Sequence, residues 1–173
     1  MGKRLQKIAL GGGCHWCTEA VFQSLKGVKQ VEQGYVTSTG ENTEFSEAVI
    51  VHFNPEVITL TMLIEIHLHT HKSTSAHSFR TKYRSAIYTY SEAQERESQF
   101  ILKKLQQDFE KPLITQILPF SSFKASRDSL LNYYYCNPEK PFCEIYINPK
   151  LSLLKKQFSE YFTNKDLLYV KRG

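Results

Sequence analysis

The chain is expected to form a single α/β or α+β domain, on three observations. Short β-like runs alternate with segments of helical periodicity, no repeat, linker or low-complexity block interrupts them, and 173 residues suit one domain with a real core. Lys7–Leu10 is a short strand running into Gly11-Gly12-Gly13. After Cys14, Val21, Phe22 and Leu25 recur at helical spacing, so the unit is strand, glycine turn and helix. Gly27 should end that helix, and Val28–Tyr35 alternates as a second strand before the polar segment Thr37–Thr43. Ser46–Phe53 is strongly β-like, with Glu47, Val49, Val51 and Phe53 on one face and Asn54-Pro55 closing it. Thr59 is placed to cap a helix through Leu68, ahead of a Ser/Thr-rich loop, Lys72–Ser78. Arg84–Tyr90 is another strand, and Ser91, with Gln94 three residues on, suits a capping box for a helix to about Phe109. Then come a strand over Leu113–Leu118, a helix over Arg127–Tyr135 and a proline-bearing loop over Cys136–Cys143. A short strand, Glu144–Ile147, and a helix, Leu151–Phe162, complete the order.

Composition narrows the function classes. At 23% charged and 41% apolar the chain is near the globular average, which excludes disorder, collagen and coiled coil as descriptions of the whole. No apolar run approaches the ~20 residues of a membrane helix. Ile8-Ala9-Leu10 is too short for a secretion-signal core, so a soluble cytoplasmic protein without a membrane partner is expected. Gln6 stands where a myristoylation signal opening on Met1-Gly2 needs Ser or Thr. The net charge of +5 is mild and the basic residues are dispersed, which describes a solvated surface and not a nucleic-acid footprint. Cys14, Cys17, Cys136 and Cys143 are too few for a disulfide-stapled fold and should rest as thiols, favouring metal or redox chemistry over structural bridging.

Gly11-Gly12-Gly13-Cys14-His15-Trp16-Cys17 is the most informative segment. A thiol at the first turn of a helix meets free amide donors and the positive end of the helix dipole, which favours the nucleophilic thiolate. His15, if charged, would favour it further. The Cys14-x-x-Cys17 spacing suits dithiol redox chemistry or half of a zinc site. Redox is preferred, because the separation of Cys136 and Cys143 matches no usual zinc knuckle. His67, His69 and His71 fall at the end of a helix, where polar decoration is the simpler reading.

Several motifs then occur in a family order: Gly-Gly-Gly-Cys14-His15-Trp16-Cys17-x-Glu-Ala-x-Phe, Gly27-Val28, Gly34-Tyr35, Ser46-Glu47-Ala48-Val49, Phe53-Asn54-Pro55 and Tyr83-Arg84-Ser85-Ala86-Ile87-Tyr88. With Asn137-Pro138, Phe142-Cys143 and Ile147-x-Pro149-Lys150-Leu151 they span nearly the whole chain, and it resembles the peptide methionine sulfoxide reductase A family. The resemblance implies a two-layer α/β sandwich of ferredoxin-like, α+β type, a mixed sheet with flanking helices, and neither metal nor bound organic cofactor. It implies that Cys14 attacks the sulfur of an S-epimer methionine sulfoxide, in oxidised proteins or as the free amino acid, while Glu47 protonates the oxygen with help from the Tyr83 hydroxyl. Glu47 would need its proton near neutral pH, which burial among apolar neighbours favours. Trp16 would wall the substrate methyl, with His15 and Tyr35 beside it. The Cys14 sulfenic acid would be resolved by Cys17 or Cys143, and thioredoxin or another dithiol would reduce the disulfide. Nothing requires more than a monomer.

The chain departs from this pattern at defined places. His15 and Cys17 replace the Phe and Gly that usually flank the Trp, so His15 should either weaken the methyl pocket or help ionise Cys14. Cys17 creates a local dithiol, and Cys136 replaces a Lys. The segment between Tyr35 and Glu47 is short and lacks a second tyrosine, and Phe45 stands where His is common. His77-Ser78 replaces Asn-Asp, Arg80 and Lys82 replace Gly and Gln, and Ser129-Leu130-Leu131 replaces Tyr-His-Gln after Asp128. Cys14, Trp16, Glu47 and Tyr83 persist, so catalysis is expected, slower or with altered substrate choice. The alternative is a weakened relative that acts as a binding or general thiol-disulfide protein.

Overall fold

The computed structural model describes residues 5–76, 82–127, 145 and 147–163. Its elements are β1 (Gln6–Gly11), α1 (His15–Gln23), β2 (Val28–Thr37), β3 (Ser46–Phe53), α2 (Leu60–His69) and β4 (Ala86–Thr89). They continue with α3 (Glu92–Leu105), a 3₁₀ turn (Gln106–Asp108), β5 (Gln116–Pro119), β6 (Ser122–Ala125) and α4 (Asn148–Gln157). The strands form one mixed sheet in the order β5-β4-β1-β3-β2-β6. All neighbours are antiparallel except β4 and β5, which run parallel across the α3 connection. The result is an α+β architecture.

The period of two along β3 decides where the chemistry can sit. Val49, Val51 and Phe53 join Ile8, Leu10 and Ile87 in the main core, under Phe22 of α1, Leu63 of α2 and Leu154 of α4. Ala48 and Ile50 face the other way, with Ala9, Val36 and Tyr88. Glu47 shares the parity of Val49 and therefore faces the helices. Register places Tyr35 opposite Glu47 on β2, and Gly11 opposite Ala48 on β1. Burying one side chain such as Phe22 contributes about 1.5–3 kcal/mol, so the packing of α1 is secured mainly by its apolar face.

Local signals hold at the helix starts. Thr59 Oγ1 accepts from the Met62 N–H at 3.1 Å, and Ser91 Oγ accepts from the Gln94 N–H at 3.1 Å. Gln94 completes its box one residue early, because its Oε1 accepts from the Tyr90 N–H at 2.8 Å. Other boundaries shift. α3 ends at Leu105, where the chain tightens into the 3₁₀ turn and Gln106 braces the loop by bonding Lys111 O and the Leu113 N–H. β4 is shorter than Arg84–Tyr90, because the Arg84 N–H is spent on Ser46 Oγ. β6 has no apolar alternation to reveal it, and is held at the sheet edge by backbone pairing with β2. α4 begins ahead of Leu151, with Pro149 in its first turn, where no N–H partner is needed, and ends before Phe162. Ile145 and Ile147 lie in a helical turn leading into α4 in place of a strand, since Ile147 is buried beside that helix and not in the sheet. The rest of the expected 144–147 strand, the helix expected after Arg127 and the 136–143 loop lie outside the described residues. So do Cys136, Cys143, His77, Ser78, Arg80 and Asp128.

The three glycines are not equivalent. A Cβ on Gly11 would lie 2.9 Å from Glu47 O and 3.0 Å from Arg84 O, so only glycine lets the end of β1 sit between its neighbours. Gly12 has φ +155°, and a Cβ there would lie 2.4 Å from the His71 ring, which two hydrogen bonds hold in place. Gly13 has open space. The expected outcome is that Gly12→Ala lowers unfolding free energy by about 1–3 kcal/mol while Gly13→Ala stays within about 0.5. Urea denaturation of the two variants checks this.

Candidate active site

Cys14 is the N-cap of α1, with φ −57° and ψ 129°. Its carbonyl starts the helix by accepting from the Cys17 and Thr18 N–H groups, both at 3.1 Å. The residue is half-buried and its thiol unbridged. The thiol is held below its ordinary range, foremost by a hydrogen bond from the Cys17 side chain, then by the Trp16 and Cys17 amides. Burial and the nearby Glu47 charge oppose this without cancelling it. Cys17 is itself buried and unbridged. Lys150 of α4 adds a half-buried cation whose proton affinity burial lowers, against the Cys17 and Cys14 charges that raise it, and its Nζ donates to Thr70 O.

Glu47 lies across from this turn, 5% exposed. Its Oε1 accepts from the His15 backbone N–H at 3.2 Å, one of the amides that a helix start leaves without a partner. Lys82 Nζ approaches Oε2 at 3.7 Å from an exposed side chain. That lysine also lies 5.1 Å from the centre of the Tyr83 ring. Hydrogen bonding to Tyr83, then the charges of Tyr83 and Glu47, raise the affinity of Lys82 for its proton. The loop carrying both residues is fastened to the start of β3. Glu47 N–H and Ser46 Oγ donate to Lys82 O at 2.9 Å, and the Arg84 N–H donates to Ser46 Oγ at 2.7 Å. Tyr83 thus reaches Glu47's surroundings through Lys82.

His15 turns away from the Cys14 sulfur and toward the strands. Its ring is 3% exposed, turned into the sheet, and bonded through Nδ1 to Gly34 O at 3.1 Å, with Nε2 3.3 Å from Glu47 Oε1. Burial lowers its proton affinity, against the bond to Gly34 and the Glu47 charge, which raise it. Tyr35 meets it edge-on with ring centres 5.2 Å apart, and Trp16 lies tilted at 6.3 Å, half-buried against the core. The site therefore brings together Cys14, Cys17, Glu47, His15, Trp16 and Tyr35, with Tyr83 at its edge, and adds Lys82.

Two of the histidines read as decoration of a helix end lie elsewhere. His67 is buried, and its Nε2 donates to Gly11 O at 2.7 Å; the His71 ring lies tilted against it with centres 4.2 Å apart and reaches Ser85 Oγ at 2.8 Å. They are no surface decoration but the packing behind the glycine turn. Their i, i+4 spacing was the available signal.

A family model described as peptide methionine sulfoxide reductase matches residues 6–162. The chain belongs to the peptide methionine sulfoxide reductase family. It is 34% identical to the peptide methionine sulfoxide reductase MsrA of Trichodesmium erythraeum, over 90% of this chain and 97% of that one. The MsrA of Deinococcus radiodurans is 33% identical, over 92% and 85%. Among solved structures, reduced Mxr1 from Saccharomyces cerevisiae matches with TM-score 0.73 and 25% identity, covering 81% of this chain and 90% of that one. Family membership thus agrees with the resemblance seen in the motifs.

Because the Cys17 thiol is the foremost donor to Cys14, Cys17→Ala should move the pH midpoint of Cys14 alkylation by iodoacetamide upward. An unmoved midpoint would show that the helix amides alone hold the thiolate.

Proposed function

We propose that the protein reduces S-epimer methionine sulfoxide, protein-bound or free, with Cys14 as nucleophile and Glu47 as proton donor. The observation that carries this reading is a half-exposed thiol, biased to thiolate at the head of α1, facing a buried carboxyl on β3. The Cys14 thiolate attacks the sulfoxide sulfur, the oxygen takes a proton through Glu47, and methionine departs as Cys14 becomes a sulfenic acid. Two electrons have moved from cysteine to sulfoxide. A second thiol then attacks the Cys14 sulfur and water leaves, forming a disulfide that thioredoxin or another dithiol reduces. Cys17 is favoured for this step by its hydrogen bond to Cys14; Cys143 is the other candidate. Trp16, half-buried beside the thiol, is the wall proposed for the substrate methyl, and Tyr83 the second oxygen partner. The reading takes the chain as one domain of ferredoxin-like sandwich type, acting as a monomer without a bound cofactor.

An assay with each sulfoxide epimer and dithiothreitol tests it. Turnover of the S form alone, lost in Cys14→Ser, is expected; turnover of neither form would overturn the reading. Glu47→Gln should lower the rate by about 10²–10⁴-fold, and an unchanged rate would remove its role. Peptide mapping after one equivalent of sulfoxide should find Cys14 bridged to Cys17, and a bridge to Cys143 would assign resolution there.

A further inference from the structure

We propose that a second binding site, floored by Arg84, takes a small free amino acid, its carboxylate on the guanidinium and its ammonium toward Glu41 and Glu44. Arg84 is 7% exposed. It shares the parity of Ala86 and Tyr88, so it lies on the sheet face opposite Glu47 and the helices. There it lines a cleft of about 490 Å³ between the segment joining β2 to β3 and the starts of β4 and β5. Glu41, Asn42, Glu44, Ile114 and Gln116 line the same cleft, and neither Cys14 nor Glu47 is among the described residues that do. The site is thus separate from the thiol.

The surroundings of the guanidinium say what would bind. A buried cation out of reach of water is costly unless a carboxylate or another anion faces it. Arg84 Nη1 donates to Tyr88 Oη at 3.0 Å, and Nη2 donates to the Glu44 backbone oxygen at 2.8 Å. Neither acceptor carries charge. Burial pushes the Tyr88 hydroxyl above its ordinary range, so it meets the guanidinium as a neutral oxygen, and Glu44 contributes a peptide carbonyl. Among the described residues no carboxylate stands within ion-pair distance of Arg84. A guanidinium has more N–H groups than these two acceptors use, arranged in a fork that matches a carboxylate. The side-chain amides of Asn42 and Gln116 add donors along the cleft.

The same walls narrow the ligand further. Glu41 and Glu44 are exposed acids, and a simple anion approaching Arg84 would meet their repulsion. A zwitterion escapes this, since its ammonium answers the two acids while its carboxylate answers the guanidinium. Half-buried Ile114 offers an apolar surface for a short aliphatic side chain. The volume is that of a small-molecule site.

Calorimetric titration of the full chain at pH 7 and low salt tests the assignment, with L-valine as the probe because it has no sulfur for the thiol site. Saturable binding is expected, and isovalerate, which lacks the amine, and L-valinamide, which lacks the carboxylate, should each bind about tenfold more weakly or less. Arg84→Gln should weaken L-valine by a similar factor. Should that variant unfold, Gln116→Glu provides the second test: at an exposed edge-strand position it gives the guanidinium an internal carboxylate, and L-valine should again lose about tenfold. Glu41→Gln with Glu44→Gln should weaken L-valine and tighten isovalerate, a reversal that a merely structural role for the acids would not produce. Binding should survive Cys14→Ser. No saturable binding of L-valine, equal binding of L-valine and isovalerate, equal binding of L-valine and L-valinamide, or loss in Cys14→Ser would each overturn the proposal.

Discussion

One hydrogen bond joins the two halves of this site: the His15 backbone N–H, at the first turn of α1, to the Glu47 carboxyl on β3 at 3.2 Å. A helix start has donors to spare, and here one of them is spent on the side chain that must face Cys14. The sulfur precedes that amide by one residue, so the bond sets the distance between nucleophile and acid more tightly than packing alone could. Much of the neighbouring structure serves to keep it made. Gly11 lets β1 end against the β3 and β4 backbones, His67 fixes the Gly11 carbonyl, and Ser46 fastens the Lys82–Arg84 loop.

The thiol is governed by a contest in which directed donors prevail over a hostile environment. Burial and a facing carboxyl both disfavour a thiolate. Against them stand the Cys17 thiol and two amides, and hydrogen bonds to a charged acceptor are roughly twice as strong as neutral ones. His15 feels the same contest in reverse, burial lowering its proton affinity while the Glu47 charge raises it.

How far this was legible in the sequence follows from what each residue depends on. Period-two alternation from Glu47 to Phe53 put the carboxyl on the helix face, and the glycine turn put Cys14 at a helix start, because both are local properties of the chain. The strand order was not readable, since β6 has nothing apolar to mark it and pairs only through its backbone. The direction of His15 was not readable, because sequence proximity to Cys14 does not say where a ring points, here toward β2 and β3. His67 and His71 were read as surface decoration for a related reason. Their role depends on a contact with the end of β1, some 56 positions away in the chain. Lys82 was visible only as a replacement, and its nearness to Glu47 comes from the loop that Ser46 and Arg84 fasten.

The unequal exposure of the two thiols carries a regiochemical consequence. Cys17 lies beneath the surface at 5% exposure, whereas Cys14 is half-open. In a bridge between them, an incoming thiolate can approach only the outer sulfur, so the mixed disulfide forms on Cys14 and Cys17 departs as the leaving group. Recovery of the dithiol thus regenerates the inner donor first, before the outer sulfur is released to accept its hydrogen bond again.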